Sequence, residues 1–185
     1  PLNMRLSVLA QYALPHRALS RLVYWATRWT WTPWKNFLIG RVVKAYDVDM
    51  SQAAQADPFA YPSFNAFFTR ALKPGARPIA ADERVIACPA DGRISQYGSI
   101  RDGRIFQAKG QSFTTAELFG GETASAAQFD AGIFTTLYLS PRDYHRIHMP
   151  FAGTLTLMIH VPGRLFSVNP PTTRAVPRLF ARNER

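Results

Sequence analysis

Two short polar segments carry the side chains best suited to moving protons. The first, Pro89 to Gly92, follows an apolar run and contains Asp91. The second, Tyr138 to Pro150, contains His145 and His148 three residues apart. Histidine has an ordinary pKa of about 6.5, so it can act as an acid or a base near neutral pH. If Asp91 and His148 meet in the fold, the carboxylate would orient the imidazole as a base that activates a hydroxyl.

Spacing along the chain does not place Asp91 beside His148, and purely structural roles for these residues stay open. Asp91-Gly92 is also ordinary turn chemistry, and both histidines could simply hydrogen-bond within a loop. Zinc is disfavoured, because no glutamate lies between His145 and His148 as in a zinc-protease helix and no third ligand is apparent. A serine hydrolase would need a nucleophile, but the Gly-x-Ser-x-Gly pattern does not occur. The residues alone predict an Asp–His pair whose hydroxyl partner is unidentified.

The elements that must position these side chains change character near residue 84. Helical patterns come first, at Met4 to Ala13, at Trp34 to Ala45 behind Thr32-Pro33, and at Ser63 to Leu72. Short apolar runs separated by glycine then predict strands. These runs are Val85 to Ala87, Arg93 to Ile100, Arg104 to Ala108, Ile133 to Leu139 and Thr154 to Val161.

Local signals add detail to this pattern. Asp102-Gly103 between two predicted strands is typical of a hairpin. Thr114 with Glu117 predicts a capping box, and Gly120-Gly121 would end the helix that it starts. We therefore predict an α+β fold, with N-terminal helices followed by a mainly antiparallel sheet that is incomplete at the C-terminus. The expected division is a helical region at 1–73 and a β-rich catalytic domain at 74–185.

Composition limits the class of protein. The chain has 185 residues, of which 47% are hydrophobic and 18% charged, a balance typical of a globular domain. Its net charge of +10 favours an anionic partner, either nucleic acid, an anionic membrane or an acidic small molecule. Cys88 is the only cysteine, which excludes an internal disulfide and a multi-thiolate zinc site. No apolar run approaches the roughly 18 residues that a membrane span needs.

The basic charge is concentrated at the start of the sequence. Residues 1–46 contain no Asp or Glu, and they hold all four tryptophans: Trp25, Trp29, Trp31 and Trp34. Basic, Trp-rich helices are typical of a surface that binds anionic membrane, although a Trp/Leu stripe is equally consistent with core packing. Few serines argue against a transit peptide, and the lack of an RNP motif or finger spacing argues against nucleic acid. We expect a peripheral protein on the cytoplasmic side of the cell membrane.

Several segments together resemble bacterial phosphatidylserine decarboxylase, a pyruvoyl-dependent enzyme family. The resemblance covers nearly the whole chain, and Ser140 to Pro150 is its most specific part. The segments that carry it are 46–50, 64–70, 89–92, 107–110, 138–150, 161–169 and 180–185.

The resemblance implies a site and a cofactor. Members of this family cleave themselves before a serine in a Leu-Gly-Ser-Thr motif, and that serine becomes a pyruvoyl group on a small α chain. Asp91 and His148 match the charge relay that activates the serine, and His145 matches a residue linked to decarboxylation. The implied partners are therefore phosphatidylserine, the anionic membrane surface and the pyruvoyl-bearing α chain. The implied reaction releases carbon dioxide and yields phosphatidylethanolamine.

One departure from the family pattern limits these expectations. Leu-Gly-Ser-Thr does not occur, and the only Gly-Ser pair, Gly98-Ser99, is followed by Ile100. We therefore expect the pyruvoyl-forming serine to lie outside this sequence and the chain alone to lack decarboxylase activity. Two alternatives stay open: an inactive membrane-surface binding module, and a hydrolase with an Asp–His relay.

Overall fold

The computed structural model describes residues 2–79, 82, 84–108 and 110–185, and the side chains from residue 8 onward. Helices come first, and short strands mixed with short helices follow, which confirms the predicted α+β class. Lys109, in one of the segments that carry the family resemblance, lies outside the described residues. In the part of the chain that the structure describes, no helix combines the length and apolar character needed to cross a membrane.

The helices and strands have the following bounds. The helices are α1 (Leu2–Ala13), α2 (His16–Arg28), α3 (Thr32–Tyr46), α4 (Phe64–Phe68), α5 (Thr115–Leu118), α6 (Thr123–Ala127), α7 (Pro170–Ala175) and α8 (Leu179–Arg182). The strands are β1 (Arg93–Ser99), β2 (Arg104–Ala108), β3 (Gln111–Thr114) and β4 (Ile133–Tyr138), and a 3₁₀ turn spans Pro58–Ala60.

The chain divides into two compact units, each built from separate segments. Unit 1 contains the N-terminal residues up to Arg21, residues 94–136 and residues 156–185. Unit 2 contains residues 22–93 and 137–155. The division of the sequence at residue 73 stays a prediction.

Two buried clusters form the core of unit 1. Val8 from α1 packs with Phe166, Val176 and Leu179, which come from the C-terminal part of the chain. The second cluster consists of Ile100, Ile105 and Phe113, and Phe180 lies against both clusters. Residues distant in sequence thus share one apolar interior.

In the described ranges, two small sheets replace the single sheet expected from the sequence. Strand β1 pairs with β4, and β2 pairs with β3 in antiparallel register. The tight turn at Asp102-Gly103 forms as predicted, with φ of 51° and 63° at its two residues. The hairpin prediction is wrong beyond that turn. In the described residues, the two flanking segments are joined by an isolated bridge between Arg101 and Arg104 and by no further strand pairing. Beyond it, β1 and β2 pair with other strands.

The capping box is confirmed and the other helix boundaries shift. Thr114 Oγ1 accepts from the Glu117 amide at 3.0 Å, and the Glu117 carboxylate accepts from the Thr114 amide at 2.8 Å. The sequence predicts Thr32 as the N-cap of α3, but Trp31 occupies that position and makes no side-chain cap bond. Pro33 is then the second helical residue, where a missing amide hydrogen costs nothing.

The predicted helix at Ser63 to Leu72 is shorter than expected. Ser63 caps α4 by accepting from the Ala66 amide at 3.2 Å, and the helix ends at Phe68. The following residues pair with an earlier segment instead, since the Lys73 amide donates to Gln52 O at 2.9 Å. Tertiary pairing therefore overrides the local helical preference.

The predicted strands at Val85 to Ala87 and Thr154 to Val161 do not form. The first bonds to a distant segment through the Ala87 amide, which donates to Pro150 O at 2.9 Å. Leu155, Leu157 and Met158 in the second are exposed. A strand needs a neighbour along its length. Among the described residues, each run bonds to a distant segment at one end only, at Ala87 and at Val161, which exchanges two backbone hydrogen bonds with Arg185 at 2.6 and 3.1 Å.

Unit 2 has its own core, which positions the polar segments described next. Ile39 from α3, Val48 and Phe67 from α4 are buried in contact with one another. Asp47 ends α3 in the left-handed conformation, with φ of 51°, and the Val48 amide donates to Val43 O. The chain reverses there and brings residues 47–52 alongside α4.

Candidate active site

Two backbone hydrogen bonds bring the two polar segments together. The Ala87 amide donates to Pro150 O at 2.9 Å, and the His148 amide donates to Pro89 O at 2.8 Å. Asp91 and His148, 57 positions apart in the sequence, thus lie on adjoining segments of unit 2. This proximity is what the sequence pattern alone left open.

A glycine allows the Asp91 loop to approach closely. Gly92 has a φ of +124°, and a Cβ built on it would lie 2.4 Å from the Tyr138 carbonyl oxygen. A larger residue would push apart the turn that carries Asp91 and the end of β4. The Asp-Gly pair therefore serves both turn formation and the placement of Asp91.

Arg77 holds the Asp91 carboxylate. Its Nε donates to Asp91 Oδ1 at 2.8 Å and its Nη2 to Oδ2 at 2.5 Å, which is the bidentate geometry of a guanidinium–carboxylate pair. These bonds are the main reason that the pKa of Asp91 lies below its ordinary value, and the charges of Arg77, Arg70 and His148 act in the same direction. Asp91 is thus an anion at neutral pH.

Tyr144 holds the His148 imidazole. The Tyr144 hydroxyl lies 2.8 Å from His148 Nε2, and the two rings are stacked with centroids 5.6 Å apart. Tyr144 is buried whereas His148 is exposed. His148 Nδ1 has no partner among the described residues and is free to exchange a proton.

His145 is held in a defined tautomer. Its Nδ1 lies 2.8 Å from the Asp143 carbonyl oxygen, which can only accept, so Nδ1 carries a hydrogen. The ring packs on Phe68 with centroids 4.1 Å apart. His145 therefore presents Nε2 as its exchangeable position: a lone pair when neutral and an N–H donor when protonated.

A tight turn sets the direction of this loop. The Asp143 amide donates to Ser140 O at 2.8 Å, and the Ser140 amide donates to Asp143 Oδ2 at 2.6 Å. Arg146 Nε ties the loop to Thr69 O at 2.8 Å, just beyond α4. The histidines are thus carried by a braced loop rather than a helix, which removes the i, i+3 argument for a shared metal.

No hydrogen bond joins the Asp91 and His148 side chains, both of which the structure describes. Their link is electrostatic, because the His148 charge lowers the pKa of Asp91. Arg77 and Tyr144, which the sequence analysis did not single out, occupy the nearest positions on each side. Neither belongs to a periodic pattern, and an Arg-Pro pair in a loop does not indicate that Arg77 contacts Asp91.

A cavity of about 230 Å³ in unit 2 is lined by Asp91 and Tyr144, whereas His145 and His148 are not among the residues that line it. Arg70 and Arg77 form the basic part of its wall. Among the described residues, no group of three or more His, Cys, Asp or Glu side chains is placed to hold a metal ion. The arrangement can exchange protons and bind charged groups.

Two family models match the chain. The model described as phosphatidylserine decarboxylase matches residues 64–185, and one described as PSD matches residues 6–47. The first of these contains Asp91, His145 and His148.

Curated relatives carry the same name over the same region. The phosphatidylserine decarboxylase proenzyme of Alkalilimnicola ehrlichii is 63% identical over 94% of this chain and 60% of its own length. Those of Xanthomonas axonopodis and Bordetella bronchiseptica are 60% and 58% identical, over 98% and 100% of the chain and 65% and 62% of their own lengths. The chain thus spans about three fifths of the length of these relatives. On this similarity, the chain belongs to the phosphatidylserine decarboxylase family.

Proposed function

We propose that this chain supplies the acid–base residues of an enzyme that converts phosphatidylserine to phosphatidylethanolamine and carbon dioxide. The observation that carries the proposal is the joining of the Asp91 and His148 segments by two backbone hydrogen bonds. An ionised carboxylate beside an imidazole-bearing loop is the arrangement that activates a hydroxyl. The names of the relatives supply the substrate.

The first proposed role is self-cleavage of a proenzyme at a serine. His148 accepts the hydroxyl proton at Nδ1, the ring nitrogen that Tyr144 leaves free. Asp91 stabilises the imidazolium that forms, as in other carboxylate–histidine pairs. Arg77 keeps Asp91 ionised for this task. The serine and the small α chain that carries it would come from the remainder of the proenzyme.

The second proposed role is proton delivery during decarboxylation. When bound, a pyruvoyl group supplies an electrophilic carbonyl that takes up the electron pair left by carbon dioxide. The residues present fit such a group, because His145 and His148 each offer one free ring nitrogen and no metal is required. His145 holds the proton at Nε2 and delivers it to the carbon that loses carbon dioxide.

Variants of the full-length proenzyme separate the two roles. His148→Ala and Asp91→Asn should each slow self-cleavage by about 10²–10⁴-fold, the usual contribution of a general base. His145→Ala should leave cleavage intact and abolish release of labelled carbon dioxide from phosphatidyl-[1-¹⁴C]serine. His160→Ala is the matched control, since this exposed imidazole lies 3.7 Å from Glu184 in unit 1. Normal processing in both His148→Ala and Asp91→Asn would refute the relay.

We further propose that the N-terminal helices bind the anionic face of the cell membrane from the cytoplasmic side. Trp25, Trp29 and Trp31 are 68%, 55% and 55% exposed, which is unusual for residues in a core. Leu22 and Phe37 are also more than half exposed. Indoles favour the headgroup level of a bilayer, and nearby arginines attract anionic lipid at about 1 kcal/mol each.

The indole cluster is held together by its own contacts. Trp34 Nε1 donates to Ala26 O at 2.8 Å and ties α3 to α2. Trp29 lies 5.5 Å from Trp31 and 6.2 Å from Trp34, between ring centroids. Lys35 differs from the other cations of this region whose side chains are described, because it is buried and donates to Phe59 O at 2.7 Å. It is thus unavailable to lipid.

Vesicle flotation tests this part of the proposal. Trp25→Ala with Trp31→Ala should weaken binding to phosphatidylglycerol vesicles at least tenfold, equivalent to about 1.4 kcal/mol. The control is Tyr97→Ala, which removes an aromatic ring that is 77% exposed on β1. Equal flotation of all three proteins would overturn the membrane assignment and leave the acid–base proposal untouched.

A further inference from the structure

A buried arginine beside Asp91 has donors with no acceptor. Arg70 follows α4 and is only 4% exposed. Its Nη2 donates to the Arg142 carbonyl oxygen at 3.0 Å. Its Nε and Nη1 are buried and have no hydrogen-bond partner within the described part of the chain. Buried side-chain donors are nearly always paired, so these two N–H groups require an explanation.

Among the residues that the structure describes, the charge of Arg70 also has no direct counter-ion. Burial lowers the pKa of its guanidinium, and the carboxylates of Asp49, Asp91 and Asp143 act on it only through space. Each of those carboxylates already accepts another hydrogen bond, from Ser51 N, from Arg77 and from Ser140 N respectively. A buried cation without a hydrogen-bonded anion is costly, and an arriving anion would remove that cost.

Arg70 is one of the residues that line the 230 Å³ cavity. That cavity is open to solvent beside Arg77, whose side chain is 44% exposed. Counting the described residues, its wall holds four aspartates and three arginines, so carboxylates are in excess by one. A doubly charged anion is disfavoured there, because it would add to the excess negative charge. A phosphodiester that carries an ammonium group is neutral as a whole and leaves the net charge of the cavity unchanged.

The proposed reaction selects between the two anions of a phosphoserine headgroup. Decarboxylation disperses the charge of the carboxylate, so an arginine bound there would stabilise the reactant more than the transition state. The phosphodiester keeps its charge throughout the reaction, and binding it orients the substrate without raising the barrier. Arg70 is therefore better matched to phosphate than to carboxylate.

We propose that Arg70, through Nε and Nη1, binds the phosphodiester oxygens of an aminophospholipid headgroup in this cavity. The inference rests on the proposed function for the identity of the lipid. The properties of the cavity by themselves require only that the ligand be a singly charged phosphodiester that lies next to the buried guanidinium. The headgroup ammonium would face the aspartates of the same wall.

Calorimetric titration of the full-length protein tests the site with soluble probes. Glycerophosphoethanolamine carries the phosphodiester without a carboxylate, and serine carries the carboxylate without a phosphate. Arg70→Gln removes the charge, and Arg84→Gln is the control, since Arg84 is an arginine 88% exposed. We expect saturable binding of glycerophosphoethanolamine that Arg70→Gln weakens at least tenfold and Arg84→Gln leaves unchanged. Inorganic phosphate should bind at least tenfold more weakly than the diester.

Three results would overturn the inference. The first is that Arg70→Gln binds glycerophosphoethanolamine as tightly as the wild type. The second is Arg70-dependent binding of serine without binding of the diester. The third is that no probe binds, which would mean that the cavity holds water only. If Arg70→Gln fails to fold, the Arg70 Nε–H proton signal of the wild-type protein must move on titration with the diester. Arg70-dependent binding in a proenzyme that never decarboxylates phosphatidylserine would overturn the proposed function alone. Decarboxylation without Arg70-dependent binding would overturn this inference alone.

Discussion

Replacing Arg77 with glutamine should cost stability in a way that depends on pH. The Arg77–Asp91 pair is bidentate, with side-chain exposures of 44% and 24%. Hydrogen bonds to charged groups contribute about 1.5–3 kcal/mol when buried, and solvent screening of a half-exposed pair reduces this to about 1 kcal/mol. We therefore expect Arg77→Gln to lower the free energy of unfolding by about 1 kcal/mol at pH 7, or the melting temperature by about 2–4 °C.

The sign of the pH dependence follows from the direction of the shift. The pair lowers the pKa of Asp91 below the ordinary value of about 3.9 that applies in the unfolded chain. Its contribution is fully present above about pH 4 and is lost as the pH falls through the lowered native value. The difference in the free energy of unfolding between wild type and Arg77→Gln should thus be largest near neutral pH and should fall toward zero in the acid range.

Urea unfolding followed by circular dichroism from pH 3 to 7 measures this difference. The control is Arg84→Gln, which removes a fork of the same geometry on Asp82, at 3.0 and 2.8 Å, from an exposed position. It should change nothing measurable. Arg77 also donates to Gln52 Oε1 at 2.6 Å. Because the Gln52 amide does not titrate, Gln52→Ala measures the part of the stability loss that does not depend on pH. The loss measured for Gln52→Ala is subtracted from that of Arg77→Gln. If the remaining loss in the free energy of unfolding stays constant from pH 7 to 3, the assignment of the pH dependence to Asp91 is wrong.

Two further changes test how the site is built. Gly92→Ala places a Cβ 2.4 Å from Tyr138 O at a φ of +124° and should destabilise the protein by more than 2 kcal/mol in calorimetry. Gly75→Ala, at a φ of +76° with nothing within 4 Å, should cost only about 1 kcal/mol, and equal losses would contradict the close approach. Tyr144→Phe keeps the ring stack and removes the bond to His148 Nε2, so ¹⁵N spectra should change at His148 Nε2 and not at His145.

Local chemistry predicted the elements that depend on neighbours in sequence. The capping box at Thr114 and Glu117 forms because both partners lie within one turn of helix. Gly120 and Gly121 end the turn with φ of +73° and +97°, values that glycine adopts at little cost. Such signals need no knowledge of the tertiary fold.

Elements that depend on distant partners were predicted less well. Thr154 to Val161 has the composition of a strand, but a strand forms only where a second segment offers its backbone. The helix from Ser63 ends early because residues 71–73 pair with residues 52–54, a contact that no local pattern indicates. Pairing partners, not propensity, decided both outcomes.

The same distinction applies to the site. Residue type predicts Asp91, His145 and His148 as candidates, because few side chains move protons near neutral pH. It could not identify Arg77 or Tyr144, whose importance comes only from the groups that they contact. Arginine and tyrosine in loops are common, and their spacing to Asp91 and His148 has no period.

Counting ring nitrogens shows what the relay requires of His148. A base oriented by a carboxylate uses one nitrogen for the carboxylate and the other for the hydroxyl. In this structure Tyr144 occupies Nε2, and no described residue bonds Nδ1. Asp91 meanwhile accepts two bonds from Arg77, although each carboxylate oxygen has a second lone pair for another donor. A direct hydrogen bond between Asp91 and His148 would therefore require His148 to give up its bond to Tyr144, at a net cost of about 1 kcal/mol for one hydrogen bond, while Arg77 can stay in place. The proposed relay needs no such exchange, because Asp91 acts on the imidazolium through its charge.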